Sequence, residues 1–136
     1  MRHRDRRIVR AALASLLLGA AALAACRPAE AGRGLLDGRT FVGQMGEKGR
    51  SQGQPERISF RRGQLHSEAC EPFGFEDGDY DAAQSGEEIS FTAEVRSPKE
   101  GRIEWRGQVR GDVLEGTFTW HKEGKRPLEY WVRARR

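Results

Sequence analysis

The chain has 136 residues, with 24 Lys and Arg against 20 Asp and Glu, and a formal net charge of +4. Five of those arginines and one aspartate fall within residues 1–25, so the rest of the chain carries 19 charges of each sign. A segment without a cationic excess lacks the clustered charge that phosphate binding needs, which argues against a nucleic-acid-binding protein. Its length allows one small domain with a single core.

The first 25 residues have the pattern of an export signal. Their arginines precede the apolar segment 11–25, which is rich in Ala and Leu. That segment is shorter than the roughly 20 residues that a membrane-spanning helix needs, and it is typical of a cleaved secretory signal peptide. We therefore divide the chain into a signal peptide (1–25), a lipidated N-terminus and tether (26–36) and a folded domain (37–136).

The signal ends in Leu23-Ala24-Ala25-Cys26, which resembles the lipobox of bacterial lipoproteins. In that family the Cys sulfur receives a diacylglycerol, and cleavage before the Cys creates an N-terminus that is often acylated as well. The resemblance implies an anchor at Cys26 that holds the protein to a membrane, since two or three acyl chains anchor stably. Arg27 in place of an Asp points to the outer membrane, facing the periplasm. The alternative is a secreted protein cut at an ordinary Ala-x-Ala site.

The rest of the chain alternates between apolar and polar residues. In 88–95, the apolar Ile89, Phe91, Ala93 and Val95 are separated by polar residues, and the same period recurs three more times before the C-terminus. A strict period of two predicts half-buried strands, and the Gly and Pro residues between them predict hairpin turns. Residues 46–56 are expected to form a polar loop. The predicted strands are 39–45, 57–61, 64–70, 79–84, 88–95, 102–109, 113–121 and 128–135.

Eight short strands without a helix predict an all-β protein, an up-and-down antiparallel barrel. A sandwich of two sheets remains the alternative. The domain resembles the small eight-stranded barrels of the calycin type, and small barrel lipoproteins of bacterial envelopes, in strand count, size and the glycine and aromatic content of its last strands. The first predicted strand departs from the Gly-x-Trp of lipocalins, since it begins Gly38-Arg39-Thr40. The resemblance implies a fold and no particular activity.

Strand parity predicts an aromatic interior. Gly43, Gly107 and Gly116 face the same way and are expected to leave room for rings. Barrels of this size are filled by side chains or hold one small ligand, and the sequence leaves both open. In the second case Trp105, Trp120 and Tyr130 are candidate ligand contacts. The aromatic residues expected inside are Phe41, Phe60, Tyr80, Phe91, Trp105, Phe118, Trp120 and Tyr130.

Three further aromatic residues are candidates for partner binding. Parity turns Trp131 outward, where it either anchors a partner or packs on the tether or a hairpin loop. Phe73 and Phe75 lie in the acidic, Gly-containing segment 71–79, and they either plug the barrel mouth or form an exposed docking patch.

Motifs for chemistry are weak. Residues 49–53 match Gly-x-Ser-x-Gly but lack the flanking strand and helix of a hydrolase elbow. Asp77, Asp79, Asp81 and Glu88 have calcium-loop spacing without its helices, and Ala82 stands where that loop needs Gly.

Cys70 is the one thiol left if Cys26 is lipidated. It is expected to share a strand face with His66, and the two could meet His121 in a metal site, but residues of these types occur together in many chains. The sequence therefore predicts no catalytic residue, metal or cofactor. It favours a non-enzymatic, membrane-anchored protein that binds an envelope protein or a cell-wall component. The alternatives are a carrier of a small apolar ligand and an inhibitor of a lysozyme or protease.

Overall fold

The structure is a computed structural model that describes residues 30–136, so the predicted signal peptide and Cys26 lie outside the described residues. The described chain is 63% β-strand, as the period of two predicts. One 3₁₀ helix, Glu68–Phe73, interrupts the strands. The strands are β1 (Glu30–Gly32), β2 (Thr40–Glu47), β3 (Gln54–Arg61), β4 (Gln64–Ser67), β5 (Gly78–Ser85), β6 (Glu88–Ser97), β7 (Gly101–Arg110), β8 (Val113–His121) and β9 (Leu128–Arg135).

The eight strands β2 to β9 form a closed up-and-down antiparallel barrel, which confirms the predicted fold and not the sandwich. Each strand pairs with the next along the chain. The barrel closes where β9 returns to β2, with a register that runs from Val42↔Arg135 to Glu47↔Tyr130. Closure leaves no long free edge, so the sheet does not offer a strand for aggregation.

The N-terminal segment joins the fold earlier than the sequence suggested. Only two residue pairs link β4 to β5, and β1 takes part of the edge of β5 that β4 leaves open, with Glu30 opposite Gln84. Leu36 is fully buried. Residues 30–36, which the sequence assigned to the tether, are therefore held against the barrel by backbone pairing and by an apolar side chain.

The interior is filled with aromatic rings, as strand parity predicted. Phe60 meets Tyr80 and Phe91 edge-on at centroid distances of 4.9 and 5.2 Å. A Cβ on Gly107 would lie 2.7 Å from the ring of Phe91, so this glycine does leave room for a ring. Six of the eight aromatic residues expected inside are buried, and Trp120 and Tyr130 pack half-buried against them.

Gly43 and Gly116 serve another purpose than the one predicted. A Cβ on Gly43 would meet the carbonyl oxygen of Arg133 at 2.0 Å, and one on Gly116 would meet that of Arg106 at 2.7 Å. Both glycines therefore allow two strands to cross closely, which a strongly coiled small barrel requires.

The two ends of the barrel differ. One end, the floor end, carries the segment 33–39, the turns 62–63, 86–87 and 111–112, and the C-terminus. The other end, the loop end, carries the longer connections 48–53, 68–77, 98–100 and 122–127. Every buried apolar residue of the described chain falls within 36–134. No helix in this part of the chain has the length and apolar character to cross a bilayer.

Candidate functional site at the loop end

A small apolar cavity of about 100 Å³ opens at the loop end. The segment between β4 and β5 covers it, and the two phenylalanines of that segment have different environments. Phe75 is buried and plugs the barrel, whereas Phe73 is 54 % exposed at the rim. Phe75 therefore has the position expected of a plug, and Phe73 has the exposure that the docking alternative requires. The cavity is lined chiefly by Met45, Cys70, Phe75, Phe118, Trp120 and Tyr130.

Trp120 and Tyr130 lie side by side on β8 and β9 beneath this rim. The Tyr130 ring stacks on Phe118 at 4.7 Å, and the indole N–H of Trp120 donates a 2.6 Å hydrogen bond to the carbonyl of Glu100. Trp120 also borders a second cleft, which it shares with the exposed Leu128 and three cationic side chains. The half-buried rings thus connect two clefts into one apolar surface, the loop-end patch, formed by Phe73, Trp120, Leu128 and Tyr130.

Cys70 lies in the wall of the cavity as a free, buried thiol. Burial raises the pKa of Cys70 to about 11, so the thiol stays protonated near neutral pH. A protonated thiol is a poor nucleophile and a poor metal ligand. The structure also removes the face that Cys70 was expected to share with His66, because β4 ends at Ser67 and Cys70 lies in the 3₁₀ helix.

Glu56 fixes the start of that helix and was missed by the sequence analysis. Its buried carboxylate accepts hydrogen bonds from Ser67 Oγ (2.6 Å), Ala69 N (3.2 Å) and Arg57 N (2.8 Å). Burial raises the pKa of Glu56 above its usual value. The sequence does indicate that Glu56 is buried, since it lies on the same strand face as Ile58 and Phe60. This was missed because residue 56 was assigned to the predicted loop 46–56.

His66 contacts the connection between β4 and β5 through two carboxylates. Its Nδ1 lies 2.6 Å from an Asp77 oxygen and its Nε2 lies 2.9 Å from a Glu71 oxygen. The two ring nitrogens of one histidine thus contact two carboxylates of the connection that carries Phe73. Asp79 and Asp81 follow along β5 as exposed strand residues. No three acidic, His or Cys side chains of the described residues converge as metal ligands would.

Trp131 has a structural contact, the second of its predicted alternatives. Its indole N–H donates a 2.8 Å hydrogen bond to the carbonyl of Arg50. A Cβ on Gly46 would lie 2.5 Å from its ring and one on Gly53 2.7 Å, so the ring packs closely against the end of β2 and the β2–β3 connection. The guanidinium of Arg133 lies 5.5 Å from the ring centre. The ring is therefore separate from the loop-end patch.

Trp105 lies in the barrel core, with its ring 4.4 Å from that of Phe118. It is 2 % exposed, so the surface does not reach it, and among the described residues its buried indole N–H alone lacks a hydrogen-bond partner. Of the predicted contacts, Phe73, Trp120 and Tyr130 come together at the loop end, with Phe75 beneath them. Trp105 and Trp131 do not join them.

A depression of about 630 Å³ lies on the polar outer wall, where it spans the strands from β5 to β9. Glu94 and Glu104 face each other there on neighbouring strands. Arg102 approaches both carboxylates and lowers the pKa of Glu104 through a hydrogen bond. The lining is polar and mainly acidic, so this wall differs from the apolar loop end.

The chain matches no known family model, and no similar protein was found among curated sequences or solved structures.

Proposed function

We propose that this chain is a membrane-anchored, non-enzymatic lipoprotein of the bacterial cell envelope that binds a protein partner through the loop-end patch. Lipid on Cys26 provides the anchor, in the outer membrane facing the periplasm. The lipobox Leu23-Ala24-Ala25-Cys26 supports the anchor. The calycin-like resemblance accords with the eight-stranded barrel and adds no activity.

The observation that carries the binding function is Phe73. A large aromatic side chain that is 54 % exposed, above an apolar cavity and beside half-buried rings, gives a protein partner an aromatic anchor and a recess. Such combinations concentrate binding energy in protein interfaces. The cavity is about the size of one aliphatic side chain, and an apolar recess suits a protein better than a glycan.

The orientation of the barrel relative to the anchor supports the same function. β1 enters at the floor end, so a lipid on Cys26 lies near that end and the loop end points away from the bilayer. Three residues lie between Cys26 and Glu30, so the two Cα atoms are at most about 14 Å apart.

The carrier of a small apolar ligand is the weaker candidate. Ligand pockets have volumes of about 300–1,000 Å³ and this apolar cavity has about 100 Å³, while aromatic rings fill the barrel. A large ligand would have to displace the core.

Native mass spectrometry of the protein extracted in mild detergent from its own membranes tests the function. We expect a retained protein partner that is lost in Phe73→Ala and kept in Val42→Ala. Val42 is the matched control, an apolar residue 50 % exposed on the outer wall. A retained small molecule would favour the carrier, and a partner that survives Phe73→Ala would contradict the proposed surface. Slowing of a lysozyme or protease by the purified domain would identify the partner class as an enzyme.

A further inference from the structure

The two ends of the barrel carry different kinds of cationic side chain. All four lysines of the chain, Lys48, Lys99, Lys122 and Lys125, lie at the loop end, where acidic residues surround them. The cations of the floor end are all arginines. They are Arg33, Arg39, Arg61, Arg62, Arg110, Arg135 and Arg136.

Five of these arginines are free of salt bridges within residues 32–136. Arg110 pairs with Glu88 at 2.8 Å and Arg136 with Asp112 at 3.7 Å, while Arg33, Arg39, Arg61, Arg62 and Arg135 pair with no carboxylate in that range. We call these five the floor arginines.

The geometry brings four of them around one short segment. The backbone N–H of Gly38 donates to the carbonyl of Phe60, and that of Gly63 donates to the carboxylate of Asp37, so segment 33–39 lies against the β3–β4 turn. Arg33 and Arg39 belong to the segment, and Arg61 and Arg62 to the strand end and the turn. Arg135 faces Val42 across β2 and β9.

The remaining carboxylates of this end do not cancel the charge. Asp37 is engaged by the N–H of Gly63 and by the hydroxyl of Tyr80 at 2.8 Å. Glu87 lies in the β5–β6 turn, and Asp79 and Asp81 lie on β5 beside the β3–β4 turn, since Gln64 pairs with Asp79. Within residues 32–136, five unpaired arginines thus stand against four carboxylates without a salt bridge, which leaves a small positive excess at this end.

The backbone conformation at Arg62 points to a use for this charge. Its φ of +53° is the one positive φ of a non-glycine residue in the described chain. With Gly63 it forms a turn in which both central residues have positive φ, a position that favours Asn or Gly. A long cationic side chain occupies this position against the local preference.

We propose that the floor arginines form a contact surface for the anionic headgroups of the anchoring membrane. This rests on the proposed anchoring at Cys26, which is at most about 14 Å in chain length from β1 and so brings the floor end to the bilayer. Guanidinium groups bind phosphate oxygens in pairs of hydrogen bonds, and basic residues near an anionic surface add to the hold of a lipid. The surface orients the barrel with its loop end outward.

Vesicle sedimentation tests this surface without any contribution from acyl chains. The chain used is residues 26–136 with Cys26→Ser, which contains every core residue that the structure describes. We expect it to sediment with vesicles of equal parts phosphatidylcholine and phosphatidylglycerol, to remain free with phosphatidylcholine alone, and to dissociate as salt rises. Arg61→Gln/Arg62→Gln should weaken binding about 25-fold, at about fivefold per arginine.

The matched control is Lys125→Gln/Arg126→Gln, which removes two exposed adjacent cations from the loop end. It should bind as the unaltered chain does. If Arg61→Gln/Arg62→Gln unfolds, Arg33→Gln/Arg135→Gln replaces it. Absence of sedimentation with the anionic vesicles, or an equal loss in the control, would overturn the proposal. Because the chain used here carries no lipid, a negative result would not bear on anchoring at Cys26. Mass spectrometry of the full chain tests that anchoring separately.

Discussion

The hydroxyl of Tyr80 donates a hydrogen bond of 2.8 Å to the carboxylate of Asp37, 43 positions away in the sequence. The same oxygen accepts a 3.0 Å hydrogen bond from the backbone N–H of Leu36. Both partners belong to the N-terminal segment that closes the floor end. One phenol in the core therefore fastens the part of the chain that leads to the proposed anchor.

Tyr80→Phe should destabilise the barrel by about 1–3 kcal/mol, because it leaves the buried N–H of Leu36 without an acceptor. Urea unfolding at neutral pH measures the change. Tyr130→Phe is the control, since none of the side-chain hydrogen bonds described for residues 32–136 involves the Tyr130 hydroxyl, and it should cost less. Equal losses would show that the Leu36 and Asp37 contacts contribute nothing beyond packing.

Alkaline pH should remove part of this stability. Burial, reinforced by Asp37, raises the pKa of Tyr80 to about 12 from an ordinary value of 10.0. The folded state keeps a proton that the unfolded state loses, so the contribution is complete below about pH 10 and disappears as pH rises towards about 12. The unfolding free energy of the unaltered chain should fall towards that of Tyr80→Phe over this window. Parallel curves for the two chains would contradict the assignment.

Glu56→Ala should cost about 2–3 kcal/mol, because three donors around the start of the 3₁₀ helix lose their acceptor. Glu68→Ala provides an exposed control on the same helix, where the ion pair with Arg57 is worth little. Thermal unfolding of the three chains measures the difference. A loss in Glu68→Ala as large as that in Glu56→Ala would argue against the capping role.

Acid should affect Glu56 in the opposite sense to most carboxylates. Burial raises its pKa, so the folded state binds the proton more tightly than the unfolded state, and stability from this group grows as pH falls through the raised pKa. Relative to Glu56→Gln, the unaltered chain should therefore gain stability from neutral to mildly acidic pH. A constant difference across that range would indicate an unshifted carboxyl.

Trp131→Phe should cost about 1 kcal/mol, the value of the lost hydrogen bond to Arg50, while keeping the ring. Trp131→Ala should in addition loosen the connection 48–53 and speed proteolysis there. Neither variant should release a partner that Phe73→Ala releases. Loss of the partner in Trp131→Phe would make Trp131 a binding residue.

Arg62→Asn should raise stability by about 0.5–1 kcal/mol, because Asn adopts a positive φ at lower cost than Arg. The same variant should bind anionic vesicles about fivefold more weakly. Arg61→Asn is the control, since it removes a charge without relieving a turn, and it should lose affinity with no gain in stability. If Arg62→Asn is more stable but binds vesicles as the unaltered chain does, Arg62 does not contribute to membrane binding.

Much of the barrel follows from local pattern. The alternation around Phe91 and Trp105 determines which face is buried, and a period of two excludes a one-residue slip of register in each hairpin. The rest depends on contacts that no local pattern contains. β1 is a strand only because β4 is short, and Cys70 leaves its strand because the distant Glu56 caps a helix start. Phe73 and Phe75 lie in the same short acidic segment, so their sequence context does not distinguish them. Only the closed barrel shows that Phe75 is buried and Phe73 exposed.

Intact mass spectrometry of the full chain, expressed in a bacterium and extracted from its membranes, tests the lipid anchor at Cys26. We expect a polypeptide that begins at Cys26 and carries the mass of a diacylglycerol and an amide-linked acyl chain. Cys26→Ala should abolish both the added mass and the membrane attachment. A chain that begins elsewhere, or a chain without added mass at Cys26, would contradict the account.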